Sequence, residues 1–242
     1  RCAGAAVTAS HNPYADNGVK IFGIGGIKLT DDQEQLIEAA MAAVTPQSSA
    51  VPGAAITESI AAINDYRNSI EGLVPSRAFA DIRIVVDCAN GAMSDVAPYV
   101  LAQLGATVIA IHCEPTGKNI NAECGATYPK IIGEAVRLHQ AAIGLAFDGD
   151  GDRVVVISAL GRVVWPDQLM MVFARDILAR KPGSDIIFDV KSSKRLPELI
   201  RRHSGRPVMC KTGHAHVRKQ VHDNNAPVGG EFSGHIFFND RW

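Results

Sequence analysis

Residues 143–158 read IGLAFDGDGDRVVVIS. An apolar run leads into three aspartates alternating with two glycines, and a second run rich in β-branched residues leads out. Short apolar runs of this kind are strand signals. Working back from them, a helix is expected over 129–139, a strand at TVIAIH (107–112), a helix over 92–104 and a strand at IRIVVD (82–87). Working forward, 154–158 and 162–165 form the arms of a hairpin, and the alternation then begins again. A helix over 167–180 is followed by the strand DIIFD, a helix over 194–203, the strand PVMCK, a helix over 214–224 and strands near 228–231 and 235–238. Strands alternating with helices indicate an α/β protein with tandem related domains and mixed, largely parallel sheets.

The first part of the chain has a different texture. GAAVTA (4–9) reads as a buried strand entering a turn at Ser10–Pro13, and NGVKIF (17–22) as a second strand. A helix is expected over 31–43, capped by Thr30 and carrying acids in its first turn. The Pro- and Ser-rich stretch 45–55 is a loop. A helix over 58–72 and a link at Pro75-Ser76 close this region.

Composition narrows the classes of function. Of 242 residues, 47% are hydrophobic and 20% charged, enough for a core without disulfides or structural metal. The net charge of -1 gives no pull toward nucleic acid or an anionic membrane surface, and no apolar run reaches the length of a membrane span. The five cysteines, Cys2, Cys88, Cys113, Cys124 and Cys210, are scattered and form no CxxC. Idle thiols in a reducing compartment fit this better than a disulfide or zinc framework. With no signal peptide visible, the expected location is cytoplasmic.

Asp148-Gly149-Asp150-Gly151-Asp152-Arg153 carries the strongest chemical signal. Glycines permit a tight turn that aims alternate carboxylates at one point, and converging hard oxygens suit Mg²⁺ or Ca²⁺. A charge run is ordinarily a solvated turn. Here the run sits at the carboxyl end of a strand, where α/β proteins bind ligands. A calcium-binding EF-hand loop is excluded, because Arg153 stands at its sixth position and Ala159 at its twelfth. Thr8-Ala9-Ser10-His11-Asn12-Pro13 is the second signal. By itself it is a common Ser/Asn/Pro turn, and adjacent Ser10 and His11 do not make a nucleophile–base pair.

TASHNPYADNGVKIF together with FDGDGDR resembles the α-D-phosphohexomutases, which interconvert hexose 1-phosphates and 6-phosphates through an enzyme phosphoserine. VVDCANGA (85–92), KTGHAHVRKQ (211–220) and GGEFSGHIFF (229–238) extend the resemblance over essentially the whole chain. It implies that Ser10 carries the phosphoryl group. It further implies that Asp148, Asp150, Asp152 and a phosphate oxygen on Ser10 hold Mg²⁺, and that Arg153 pairs with the phosphoserine. His11 and Lys20 become candidates for proton transfer or charge stabilisation. From its residues alone, Lys20 reads as a strand-edge lysine reaching solvent. Glu231 and Ser233 in the sugar-binding loop would hold sugar hydroxyls, with His235, His214 and Lys191 also facing a phosphosugar substrate. Taken singly, His214 reads as a helix-start neighbour and His235 as a core histidine. The resemblance also implies a glucose 1,6-bisphosphate-type activator.

In these terms, residues 1–77 form the end of a first domain with the phosphoserine loop. Residues 78–162 form a second domain with the metal loop, and 163–242 most of a third with the sugar loop. The family's fourth domain has no counterpart in the 242 residues. Residues 1–155 are most similar to the phosphoglucosamine branch and 165–242 to the phosphomannose/phosphoglucose branch, with the switch near Ser158–Val164. A natural hybrid, a chimera and a fragment all fit that switch. Phe232 stands where the former branch usually carries Gln or Asn and the latter Met, so a mannose or glucose phosphate is the expected substrate and glucosamine phosphate the alternative. A chain that binds phosphosugar or Mg²⁺ without turnover is the reading from another class.

Overall fold

The computed structural model describes residues 4–44 and 59–240. The expected loop at 45–55 and the start of the helix expected from 58 lie outside the described residues. The element order is β1 (Gly4–Thr8), β2 (Gly18–Phe22), α1 (Asp31–Ala43), α2 (Ile60–Glu71), β3 (Arg83–Asp87), α3 (Val96–Gln103), β4 (Thr107–Ile111), α4 (Pro129–Leu138), β5 (Ile143–Phe147), β6 (Val154–Ser158) and β7 (Val163–Val164). It continues with α5 (Pro166–Arg180), β8 (Asp185–Asp189), α6 (Arg195–Arg202), β9 (Arg206–Cys210), α7 (His214–Asp223), β10 (Val228–Gly230) and β11 (Ile236–Phe238).

Two sheets carry the fold. One has the order β4-β3-β5-β6-β7, the other β11-β10-β8-β9. In the first, β4, β3 and β5 run parallel, while β6 and β7 return antiparallel. In the second, β10, β8 and β9 are parallel and β11 is antiparallel. Strands covered on both faces need apolar side chains in both directions, which is why IRIVVD and DIIFD read as continuous runs. In β3, Val85 joins Ile132 and Val136 of α4, while Ile84 and Val86 face Ala97 of α3. In β8, Ile186 and Phe188 pack with Met170, Leu196 and Ile200 of α5 and α6, and Ile187 packs with Val217 and Val221 of α7. β5 ends at Phe147, so its carboxyl end delivers the Asp148 loop directly.

Two expectations are corrected. β1 is not buried. It forms a two-stranded antiparallel ribbon with β2, and no other described strand pairs with either. Val7 is 74% exposed and Val19 62%. An apolar run records the tendency to be covered, not the presence of a cover. The helix expected over 92–104 begins at Val96 instead. The residues before it are used elsewhere: Ala92 N–H donates to Gly149 O at 2.8 Å, and Ser94 Oγ donates to Gly91 O at 2.7 Å. They form a cradle under the aspartate loop. α1 begins as expected, with Thr30 and Gln33 forming a reciprocal capping box. α2 packs on α3, through Ile70 beside Val96 and Val100. No described helix is long and apolar enough to cross a membrane.

Candidate active site

The 148–153 loop joins antiparallel β5 and β6. Gly151 has φ +73, a conformation glycine adopts without strain, and its N–H donates to Asp148 O at 3.0 Å. The turn brings ligand-type oxygens of Asp148, Asp150 and Asp152 within 4.8 Å of one another. Asp148 is 1% exposed. Burial, and then the charges of Asp152 and Asp150, push its pKa up to about 6. Asp152 is held well below the usual carboxylate range: burial opposes this, but His235 and Lys20 outweigh it. Asp148 Oδ2 and Asp150 Oδ1 are buried and accept no hydrogen bond, although Arg153 Nε lies 3.2 Å from the former. Buried, under-partnered carboxylate oxygens that resist joint ionisation fit a hard divalent cation such as Mg²⁺.

The ribbon brings the other predicted groups to this loop. Lys20, on β2, reaches Asp150 Oδ2 at 2.6 Å and Asp152 Oδ2 at 3.3 Å, so it is not a solvent-facing lysine. Burial lowers its pKa, but the bond to Asp150 and both carboxylate charges raise it further, so it stays protonated. Ser10, beyond β1, receives Arg153 Nη2 on its Oγ at 3.2 Å. Thr8 accepts from Ser10 N–H at 2.8 Å and donates to Asp150 Oδ2 at 3.2 Å. Arg153 Nη2 also lies 2.7 Å from His11 Nδ1. A guanidinium only donates, so this His11 nitrogen is an acceptor and the ring is neutral. Its pKa is lowered, by burial first and Arg153 second. His11 thus orients Arg153 as much as it faces Ser10, whose Oγ is 3.3 Å away.

The third unit contributes a connected cluster rather than separate contacts. Glu231 is 3% exposed and accepts from Gly213 N–H at 2.9 Å and Ser233 Oγ at 2.6 Å. His235 Nδ1 pairs with Glu231, and His235 Nε2 lies 3.2 Å from Asp152 Oδ1. Burial lowers the pKa of His235, but these two carboxylates more than reverse the effect and push it up to about 9. His235 therefore ties the loop after β10 to the aspartate loop. Phe232 stacks on Trp165 with ring centroids 5.7 Å apart. Lys191 is exposed in the turn after β8, with no contact placing it against this cluster. Two residues escaped the sequence reading. Buried Asp189 gathers Ser192, Thr212 and Phe232 N–H around the sugar-loop candidates, and Asn121 binds the Ser10 turn. Both lie in stretches that look like ordinary strand-end and turn residues.

A separate trio, Asp87, His112 and Cys124, also brings ligand-type atoms together. The Asp87 oxygens already accept from Ala89 and Gly125 N–H, and burial followed by the Asp87 charge pushes the Cys124 thiol up to about 11. This trio closes the end of β3. Cys88, Cys113, Cys124 and Cys210 carry free thiols, and Cys2 lies outside the described residues.

His214, at the start of α7, packs at a tilt against His235 and Phe237, with ring centroids at 5.2 Å and 4.8 Å. Burial and then the neighbouring His235 lower its pKa from 6.5 to about 4. Between those values the unfolded chain binds the proton more readily. The associated stability is full above 6.5 and is lost as pH falls toward 4. His214→Phe keeps a ring against Phe237 and removes this titration. The variant is expected to lose about 1–2 kcal/mol less stability than the parent across that window, after allowance for partial exposure. Urea midpoints at both ends of the window measure this. Parallel pH profiles for the two proteins would contradict it.

Comparison with known proteins supplies the context. The family described as phosphoglucomutase/phosphomannomutase matches through its alpha/beta/alpha domain I at residues 2–48, domain II at 64–161 and domain III at 165–242. The phosphomannomutase/phosphoglucomutase of Pseudomonas aeruginosa is 38% identical over 242 residues, covering 99% of this chain and 51% of that protein. The phosphoglucosamine mutase of Yersinia enterocolitica is 41% identical over 242 residues, covering 99% and 54%. A crystal structure of a phosphoglucomutase/phosphomannomutase family protein from Burkholderia thailandensis superposes with a TM-score of 0.83 at 33% identity, covering 99% of this chain and 52% of that one. The chain spans about half the length of the curated relatives it matches.

Proposed function

Because the chain belongs to the phosphoglucomutase/phosphomannomutase family, we propose that it carries the phosphoserine, metal and sugar loops of an enzyme that moves a phosphoryl group between the 1- and 6-positions of a hexose. The observation that carries this reading is the meeting of Ser10 with Arg153 at 3.2 Å, beside three aspartates whose ligand atoms converge. We take residues 1–77, 78–162 and 163–242 as the three functional units. Asp148, Asp150 and Asp152, with an oxygen of phosphorylated Ser10, would hold Mg²⁺, which when bound neutralises charge on the transferring phosphoryl group.

The chain's own residues set the geometry. Arg153 presents its guanidinium to the phosphate on Ser10 and is oriented by His11. A sugar hydroxyl attacks phosphorus, the bond to Ser10 Oγ breaks with its electron pair going to Oγ, and the hydroxyl proton passes in net to that leaving oxygen, which restores the free Ser10 hydroxyl. Lys20 and His235, both held protonated, stabilise the negative charge and are not bases. The resulting bisphosphorylated sugar reorients and returns its other phosphate to Ser10. A glucose 1,6-bisphosphate-type activator phosphorylates Ser10 at the outset. Glu231, Ser233, His235, His214 and Lys191 face the phosphosugar. Positioning and electrostatics do nearly all the catalytic work in such transfers.

The experiment is conversion of mannose 1-phosphate to mannose 6-phosphate with Mg²⁺ and glucose 1,6-bisphosphate. Turnover that depends on Ser10 supports the reading. Binding without turnover favours a non-catalytic phosphosugar-binding chain, and neither binding nor turnover overturns both.

Mannose or glucose phosphate is the proposed substrate and glucosamine phosphate the alternative. Phe232 offers no hydrogen bond to a 2-amino group, and its ring is already stacked on Trp165. A hydrogen bond to a charged group contributes about 1.5–3 kcal/mol. Phe232→Gln is therefore expected to shift the preference toward glucosamine 1-phosphate by about tenfold or more. Side-by-side kcat/KM values check this. A parent protein that already favours the amino sugar tenfold would show that Phe232 does not set the choice.

A further inference from the structure

We infer that Asn121 is a positioning residue that locks the Ser10 turn onto the aspartate loop, an inference that rests on the reading of Ser10 as the phosphorylated residue. Asn121 is 7% exposed, in the segment between β4 and α4. Its Nδ2 donates to Ser10 O and to Asn12 O, each at 2.9 Å. Two carbonyl oxygens facing one group identify that group as the amide nitrogen. A single amide thus spans both sides of His11.

What it holds is strained. Ser10 has φ +52, a left-handed conformation unfavourable for a residue with a Cβ, and such strain persists only where the surroundings enforce it. Asn121 is itself fixed by its N–H donating to Ala89 O at 2.9 Å. The aspartate loop closes over the same point: a Cβ added at Gly149 would lie 2.5 Å from Ser10 O and 2.6 Å from Asn121 Nδ2. Serine turn, amide and metal loop therefore meet with no spare volume. The amide's own Oδ1 is buried and accepts no hydrogen bond, an arrangement that lowers stability, so the residue is not optimised for folding alone.

Among the described residues, the other side-chain links between the Ser10 ribbon and the loop are Lys20–Asp150, Lys20–Asp152, Thr8–Asp150, Arg153–Ser10 and Arg153–His11. Each uses groups that must rearrange when phosphate and cation arrive. The Asn121 bonds go to backbone carbonyls, which phosphorylation leaves unchanged. They are the fixed part of the geometry.

The test compares Mg²⁺ affinity, by calorimetry, for the chain with phosphoserine installed at position 10 and for the unmodified chain. In the parent, the phosphate tightens Mg²⁺ binding. Asn121→Gly removes the amide and suits the φ of +57 at this position, so folding is retained. It is expected to reduce the tightening by about tenfold, as two lost hydrogen bonds imply, while leaving the affinity of the unmodified form unchanged. A general loss of stability does not move that ratio. Should the glycine variant melt early, Asn121→Asp, of equal size and without donors, replaces it. Undiminished tightening in the variant overturns the role of Asn121. No tightening in the parent overturns the reading of Ser10, and the role of Asn121 with it.

Discussion

Asp150→Asn is expected to weaken Mg²⁺ binding to the Ser10-phosphorylated chain by about 30- to 100-fold. Asp150 lies at the centre of the DGDGD run. One of its oxygens is committed to Lys20 and Thr8, and the other is buried with no hydrogen-bond partner. That second oxygen is the one free to ligate a cation. Asparagine preserves the shape and removes the charge, so the loss reports electrostatics rather than packing. Without metal, the same variant is expected to lose less stability than the parent as pH rises through about 6. Removing the Asp150 charge relieves part of the repulsion that holds Asp148 near a pKa of about 6. A carboxyl group whose folded pKa is raised contributes stability only at low pH, and that contribution is lost as pH rises through about 6. Calorimetry and metal-free urea unfolding read the two effects separately. Unchanged Mg²⁺ affinity would remove Asp150 from the ligand set.

Gly149→Ala is expected to slow phosphoryl transfer to Ser10 by about 100-fold, the size of effect that misplacement of a reacting group by about 1 Å produces. The added methyl would sit 2.5 Å from Ser10 O, 2.6 Å from Asn121 Nδ2 and 2.9 Å from Ile120 Cδ1. The first of these atoms belongs to the turn that presents the serine hydroxyl and the second to the amide that holds that turn, so the turn must move. Overpacking of this kind also lowers stability by about 1–3 kcal/mol. Mg²⁺ binding to the unphosphorylated loop is expected to survive, because Asp148, Asp150 and Asp152 themselves meet no clash. Labelling rates from a bisphosphorylated hexose, measured beside urea midpoints, separate the two consequences. Undiminished labelling in a destabilised variant would show that the serine turn and the aspartate loop are not mechanically coupled.

The sequence was most informative where chemistry is local. β3, β5 and β8 were legible because strands covered on both faces need unbroken apolar runs. The aspartate loop was legible because three carboxylates and two glycines lie within five residues. The exposure of β1 was not, since GAAVTA looks the same with or without a layer over it. The late start of α3 was hidden for a related reason: residues 92–94 have helix-compatible side chains, but Ala92 gives its N–H to Gly149 O and Ser94 turns back onto Gly91 O. Lys20, taken alone, resembled a solvent-facing lysine, because its partners lie 130 and 132 residues away. Asn121 gave no local sign, its acceptors being 111 and 109 residues distant. Glu231, Ser233 and His235 were each readable as polar contacts. Their joining into one cluster through Asp152 depends on two sheets meeting, which spacing along the chain does not encode.

The most direct measurement is peptide mapping of the phosphoryl label after the chain meets a hexose 1,6-bisphosphate with Mg²⁺. The account predicts one labelled peptide, carrying phosphate on Ser10, with labelling lost on chelation of the metal and in Ser10→Ala. Label on Ser192, Ser193 or another hydroxyl, or label on Ser10 that is indifferent to the metal, would contradict it.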